Sequence, residues 1–183
     1  GTLILSAANT YTGDTIVNSG TLQIGDGGTT GSITSDVTND GTLSFNRADQ
    51  LIFSNAISGT GSVTQDGTGT TLMTGANTYT GATRVNVGTL QQKMQGSFSS
   101  ASAYYVAANA TLDSGGYTTT LASLDNSGTM NFGTIPGAVI NVSGNYTSHN
   151  GTIIMNVELN GDDSRSDLLR VGVLKNFIEI IIN

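Results

Sequence analysis

Apolar and polar residues alternate along most of this chain in short runs. Leu22 and Ile24 fall on one side of a run, with Thr21 and Gln23 on the other. Leu43 and Phe45, Met130 and Phe132, and the set Ile153, Met155, Val157 and Leu159 do the same; Ser44, Asn131, Thr152 and Asn156 take the opposite side. A period of two is the signature of a strand, because successive side chains leave a strand on opposite faces. Thr, Val, Ile and Tyr suit that environment. Gly, Asn, Asp and Ser break the runs where turns are needed. No segment shows a helical stripe, so the pattern predicts an all-β chain.

The runs are repeated. Ala8–Gln23 and Ala76–Gln91 agree at 13 of 16 positions, and both begin "ANTYTG". A shorter unit, a small residue followed by Thr or Ser and then an apolar residue, starts at Gly1, Gly20, Gly41, Gly61, Gly88, Ala110, Gly128 and Gly151. A sandwich or barrel places a strand roughly every 8 to 12 residues but does not require sequence repeats. A parallel β-helix winds about 20 residues into each coil, and each coil needs its neighbours to bury its apolar side. The unit starts recur mostly at that longer spacing. The expected fold is a parallel β-helix of about nine coils. "ANTYTG" reads as a corner, with Asn in a left-handed turn, Gly13 and Gly81 permitting a tight exit, and Tyr covering the edge of the core.

Charge narrows the partners. Lys and Arg total 6 against 13 Asp and Glu, a net charge of −7, with no basic stripe. A nucleic-acid surface needs such a stripe, so nucleic acid is not an expected partner. Cysteine is absent, which removes disulfides, thiolate zinc sites and thiol catalysis. No apolar run reaches the roughly 20 residues of a membrane helix. The opening Gly1-Thr2-Leu3 reads like the middle of a strand, as in a piece of a larger protein.

Candidate chemistry is sparse. Asp162, Asp163 and Asp167 are the densest acidic group. They could bind calcium or serve a polysaccharide-cleaving site, but they read more simply as a turn whose carboxylates cap backbone amides. Gly25-Asp26-Gly27-Gly28 is a single glycine-rich turn and not a calcium-binding array. His149, the one histidine, sits in a turn with no second imidazole to complete a metal site. Gly59–Ser62 and Gly67–Thr70 lack the Lys of a phosphate loop. The sequons at Asn109, Asn141, Asn145 and Asn150 read as incidental. No catalytic, cofactor or metal site is expected, and the chain is expected not to be an enzyme.

"GTLILSAANTYTGDTIVNSGTLQIG" from Gly1 and "LMTGANTYTGATRVNVGTLQ" from Leu72 resemble the passenger-associated strand repeat of bacterial autotransporters, the type V secretion system. "SGNYTSHNGTIIMNVELNGDDSRSDLLRV", Ser143 to Val171, resembles the start of the autochaperone region that closes such passengers. The resemblance implies a right-handed β-helix stalk exported through the outer membrane by a C-terminal β-barrel of the same polypeptide, and displayed at the cell surface. It implies a stalk over 1–112, autochaperone-like coils over 113–171 and a divergent or non-native tail over 172–183. The folding-nucleus core would be Ile153, Met155, Val157 and Leu159. The competing role is an adhesin surface that binds host glycans or proteins, or self-associates. Arg165 stands where the family often has Pro, and "GVLKNFIEIIIN" departs from its usual Gly- and Thr-rich continuation.

Overall fold

The computed structural model describes residues 1–157, 165–175 and 179–182. Twenty strands follow in order: β1 (Thr2–Leu5), β2 (Thr15–Val17), β3 (Thr21–Ile24), β4 (Val37–Asn39), β5 (Thr42–Phe45), β6 (Gln50–Phe53), β7 (Ile57–Ser58), β8 (Ser62–Gln65), β9 (Thr70–Met73) and β10 (Thr83–Val85). They continue as β11 (Thr89–Gln92), β12 (Ala103–Val106), β13 (Thr111–Asp113), β14 (Thr119–Leu121), β15 (Ser123–Asn126), β16 (Thr129–Asn131), β17 (Val139–Ser148), β18 (Thr152–Met155), β19 (Leu168–Lys175) and β20 (Glu179–Ile182). No helix occurs among the described residues.

The strands form a parallel β-solenoid. The first sheet runs β1-β3-β5-β8-β10-β12-β15-β17, with β14 and β19 also on β17; the second runs β6-β9-β11-β13-β16-β18-β20. A third, shorter sheet holds β2-β4-β7. All these pairings are parallel, each strand lying on the one a winding earlier. The second sheet gives about seven turns rather than the nine expected. The difference lies at the start. Residues before Gln50 put no strand on that face, which is held by the isolated bridge Ala8↔Ser32 and a glycine-rich corner. Arg47 closes that corner, donating to the carbonyls of Thr29 and Gly31 and pairing bidentately with Asp49.

Register stacks like on like. Leu22, Leu43 and Val63 lie over one another, followed by Thr83, Tyr104, Leu124 and Tyr146, all buried. On the second sheet Leu90, Leu112, Met130 and Ile153 form an equivalent column. A single winding has one layer of side chains and no closed interior; the core exists only between windings.

The eight small-Thr-apolar units do not share a face. Those at Gly1, Gly20, Gly41 and Gly61 lead into β1, β3, β5 and β8 on the first sheet. Those at Gly88, Ala110, Gly128 and Gly151 lead into β11, β13, β16 and β18 on the second. The long repeat rotates likewise. Its first copy runs through β2 and β3, on the third and first sheets; its second runs through β10 and β11, on the first and second. The displacement from one copy to the other is therefore a whole number of windings plus one face of a three-faced coil.

Candidate functional site: the repeated corner, the C-terminal latch and a lateral groove

Both copies of the hexapeptide build the same hydrogen-bonded device. Tyr11 Oη meets Thr15 Oγ1 at 2.8 Å and Tyr79 Oη meets Thr83 Oγ1 at 2.7 Å. Each threonine meets a serine of the next winding, Thr15 with Ser35 and Thr83 with Ser102. The carbonyl of each tyrosine accepts a hydroxyl from that winding, Thr34 onto Tyr11 and Ser99 onto Tyr79. Each asparagine amide donates to a serine carbonyl one winding on, Asn9 to Ser32 and Asn77 to Ser97. Environment separates the copies: Tyr11 is 40% exposed and Tyr79 1%. Burial pushes the Tyr79 phenol up to about 12 against the pull of Thr83, Tyr104 and Ser102, and pushes Tyr104 up as well.

Three details of the expected corner are corrected. Among the described residues the left-handed non-glycine positions are Asn109 and Asn150, not Asn9 or Asn77, which act through their side chains instead. Gly81 has no positive φ. It is required because a Cβ there would stand 2.2 Å from the Gly61 carbonyl oxygen. Tyr79 lies in the core rather than at its edge.

The C-terminal windings are fastened differently. β17 runs straight through the corner that separates two faces in earlier coils, with an irregularity between Val142 and Asn145, and β19 follows it in parallel. Ile153 is fully buried beneath Met130. Met155 is half-buried against the core. Val157 leaves the ladder and forms an isolated antiparallel bridge with Ser166. Leu159, Asp162 and Asp163 lie outside the described residues. Asp167 is only 5% exposed. Its Oδ1 accepts from the backbone amides of Gly137 and Ala138, both at 2.9 Å, and its Oδ2 from the amide of Asn156 at 2.7 Å and the Asn156 side chain at 3.1 Å. The expected capping of amides is thus present, but two of the amides lie a winding away, a contact with no short-range signal in the sequence.

The family description "Passenger-associated-transport-repeat" matches residues 1–24 and 63–91, the stretches that carry the two copies of the corner. A stretch of 62 residues, 33% of the chain, is 56% identical to a protein named "Adhesin BmaC autotransporter" from Brucella suis biovar 1 (strain 1330). Over these stretches the chain is similar to autotransporter passengers. A second relative, "Uncharacterized protein YuaQ" of Escherichia coli (strain K12), is 29% identical over 136 residues, 73% of the chain. The chain spans only 2% of the first relative's length and 10% of the second's. No solved structure matches it.

Other carboxylates also bridge windings. Asp36 accepts the Ala56 amide, Asp40 the amide and hydroxyl of Thr60, and Asp66 bonds from Ser44, Thr64 and Asn86. They are dispersed over several corners, and no group of three or more His, Cys, Asp or Glu residues among the described residues is placed to hold a metal. His149 Nε2 lies 3.3 Å from Asp125 Oδ1 on an open surface.

One lateral groove, of about 280 Å³, is lined by Gln91, Lys93, Asp113, Tyr117, Thr134 and Ile135, with bare backbone at Gly115, Gly116 and Gly133. Asp113 is 8% exposed. Burial raises its carboxyl above the usual range against the opposing bonds from Gly115, Gln91 and Asn131 and the nearby Lys93 charge. No local pattern in the sequence marks this groove, because its residues come from the corners of successive windings.

Proposed function

We propose that this chain is the stalk of an autotransporter passenger, and that its C-terminal windings nucleate folding as it emerges from the outer membrane. The β-barrel of the same polypeptide would be its export partner, and the cell surface its place of work. Parallel windings pair only positions a full coil apart, so the first pairing is the slow step and later coils add to an existing edge. The observation that carries the reading is the Asp167 latch. One carboxylate ties the corner at Gly137 and Ala138, the end of β18 and the start of β19 into one unit. Beside it Ile153 and Met155 offer the apolar edge on which the preceding winding rests.

Replacing Asp167 with Ala leaves three backbone amides unpaired, two of them in the preceding corner, at a cost of about 1–3 kcal/mol for each buried one. Met155→Asp places a charge against the core. In the full-length protein, both variants are expected to lower surface display several-fold, read by surface antibody labelling, while the barrel still inserts. Wild-type display of both would refute the nucleation role.

A further inference from the structure

We propose that the groove between the corners at Lys93, Gly115–Tyr117 and Gly133–Ile135 is a saccharide site that seats one pyranose ring. The groove is built by packing. Gly115, Gly116 and Gly133 all adopt positive φ, and a Cβ on Gly133 would stand 2.3 Å from the Gly116 nitrogen. The corners therefore nest with bare backbone as the floor. Ile135 stands over Gly116 and is 62% exposed, while the half-buried Tyr117 ring forms part of the wall.

The polar groups are fixed in advance. Asp113 Oδ1 accepts from the Gly115 amide at 2.7 Å, and its Oδ2 from Gln91 Nε2 at 2.9 Å and Asn131 Nδ2 at 3.2 Å. Both oxygens are committed, so the carboxylate orients Gln91 rather than acting as a base. Gln91 thereby presents its carbonyl oxygen, and the exposed Lys93 and Thr134 supply an ammonium and a hydroxyl at the rim. A pyranose has the matching division, with an apolar C–H face for Tyr117 and Ile135 and hydroxyls for the polar rim. The groove is about the smallest size usual for a small-molecule site, enough for a ring but not for a folded partner. Lys93 also fits a carboxylate-bearing sugar, so neutral and acidic glycans share this chemistry.

The test is a printed array of neutral and sialylated oligosaccharides probed with the 183-residue chain and with Tyr117→Ala, Ile135→Ser and Lys93→Gln. Saturable binding that weakens about tenfold or more in Tyr117→Ala and Ile135→Ser is expected. Ile135 is exposed, so its variant tests the site even if Tyr117→Ala fails to fold. Loss in Lys93→Gln confined to sialylated glycans marks the acidic class; unchanged binding in that variant marks the neutral class. Absence of binding across the array overturns the proposal, as does wild-type binding by a folded Ile135→Ser.

Discussion

Gly13 and Gly81 occupy the same place in the same hexapeptide, yet a methyl group would meet different surroundings at each. At Gly81 it would lie 2.2 Å from one backbone atom of Gly61 and 2.4 Å from another; at Gly13 nothing lies within 4 Å. Neither glycine has a positive φ, so backbone strain does not separate them. Gly81→Ala is expected to destabilise by about 2 kcal/mol or more, since backbone cannot move aside as a side chain can. Gly13→Ala should stay within about 0.5 kcal/mol of wild type. Thermal unfolding followed by circular dichroism compares the two, and equal melting temperatures would show that close approach is not the reason for this glycine. That the hexapeptide forms a corner was legible from its composition. Why its glycine is needed was not, because the reason lies in the backbone of the winding before it.

At the level of strands, alternation located the elements well. Leu22, Ile24, Leu43, Phe45, Met130 and Phe132 all point inward as their spacing indicates. Sheet membership was not readable, because one local pattern suits any flat face of a coil and the repeat rotates from face to face. Thr83 shows the consequence: it enters a column of buried apolar side chains, and Tyr79 and Ser102 satisfy its hydroxyl. Val157 shows the limit of periodicity, since the ladder ends at Met155 before the alternation does. Carboxylates tie neighbouring strands, and Asp66 spans three windings through Ser44 in β5, Thr64 in β8 and Asn86 just after β10. Burial alone would raise its carboxyl, but these three bonds outweigh it and hold it below the ordinary 3.8. A depressed folded value stabilises above the unfolded value and is lost as pH falls through the folded one. Asp66→Asn should therefore cost about 1 kcal/mol at neutral pH, discounted for partial solvation, and nothing once the wild-type carboxyl is protonated. Urea unfolding of both proteins at neutral pH and in strong acid checks this; a difference that persists in acid would assign the loss to packing rather than charge. Asp113 has the opposite sign, since its raised carboxyl relieves the folded state as pH falls, but it is common to both proteins and cancels.

The whole molecule behaves as a one-dimensional stack, in which each winding contributes its own stability and one interface on either side. Removing an internal winding should then shorten the rod without destroying it, provided the ladder is rejoined in register. Thr83 lies directly on Val63, so one complete winding here runs from Val63 through Ala82. Deleting that winding joins Ser62 to Thr83 and seats β10 on β5, and it lets β11 replace β9 on β6. All inward columns keep their phase. Deleting a single residue more, Val63 through Thr83, shifts β10 by one position and turns Arg84 inward and Val85 outward. The in-register deletion is expected to give a folded chain with a strand-type circular dichroism spectrum and a cooperative melt only slightly lower than that of the parent. The longer deletion should lose cooperativity or fail to fold. Two equally stable deletions would show that register between windings does not hold this solenoid together, and two unfolded ones that its windings are not separable units.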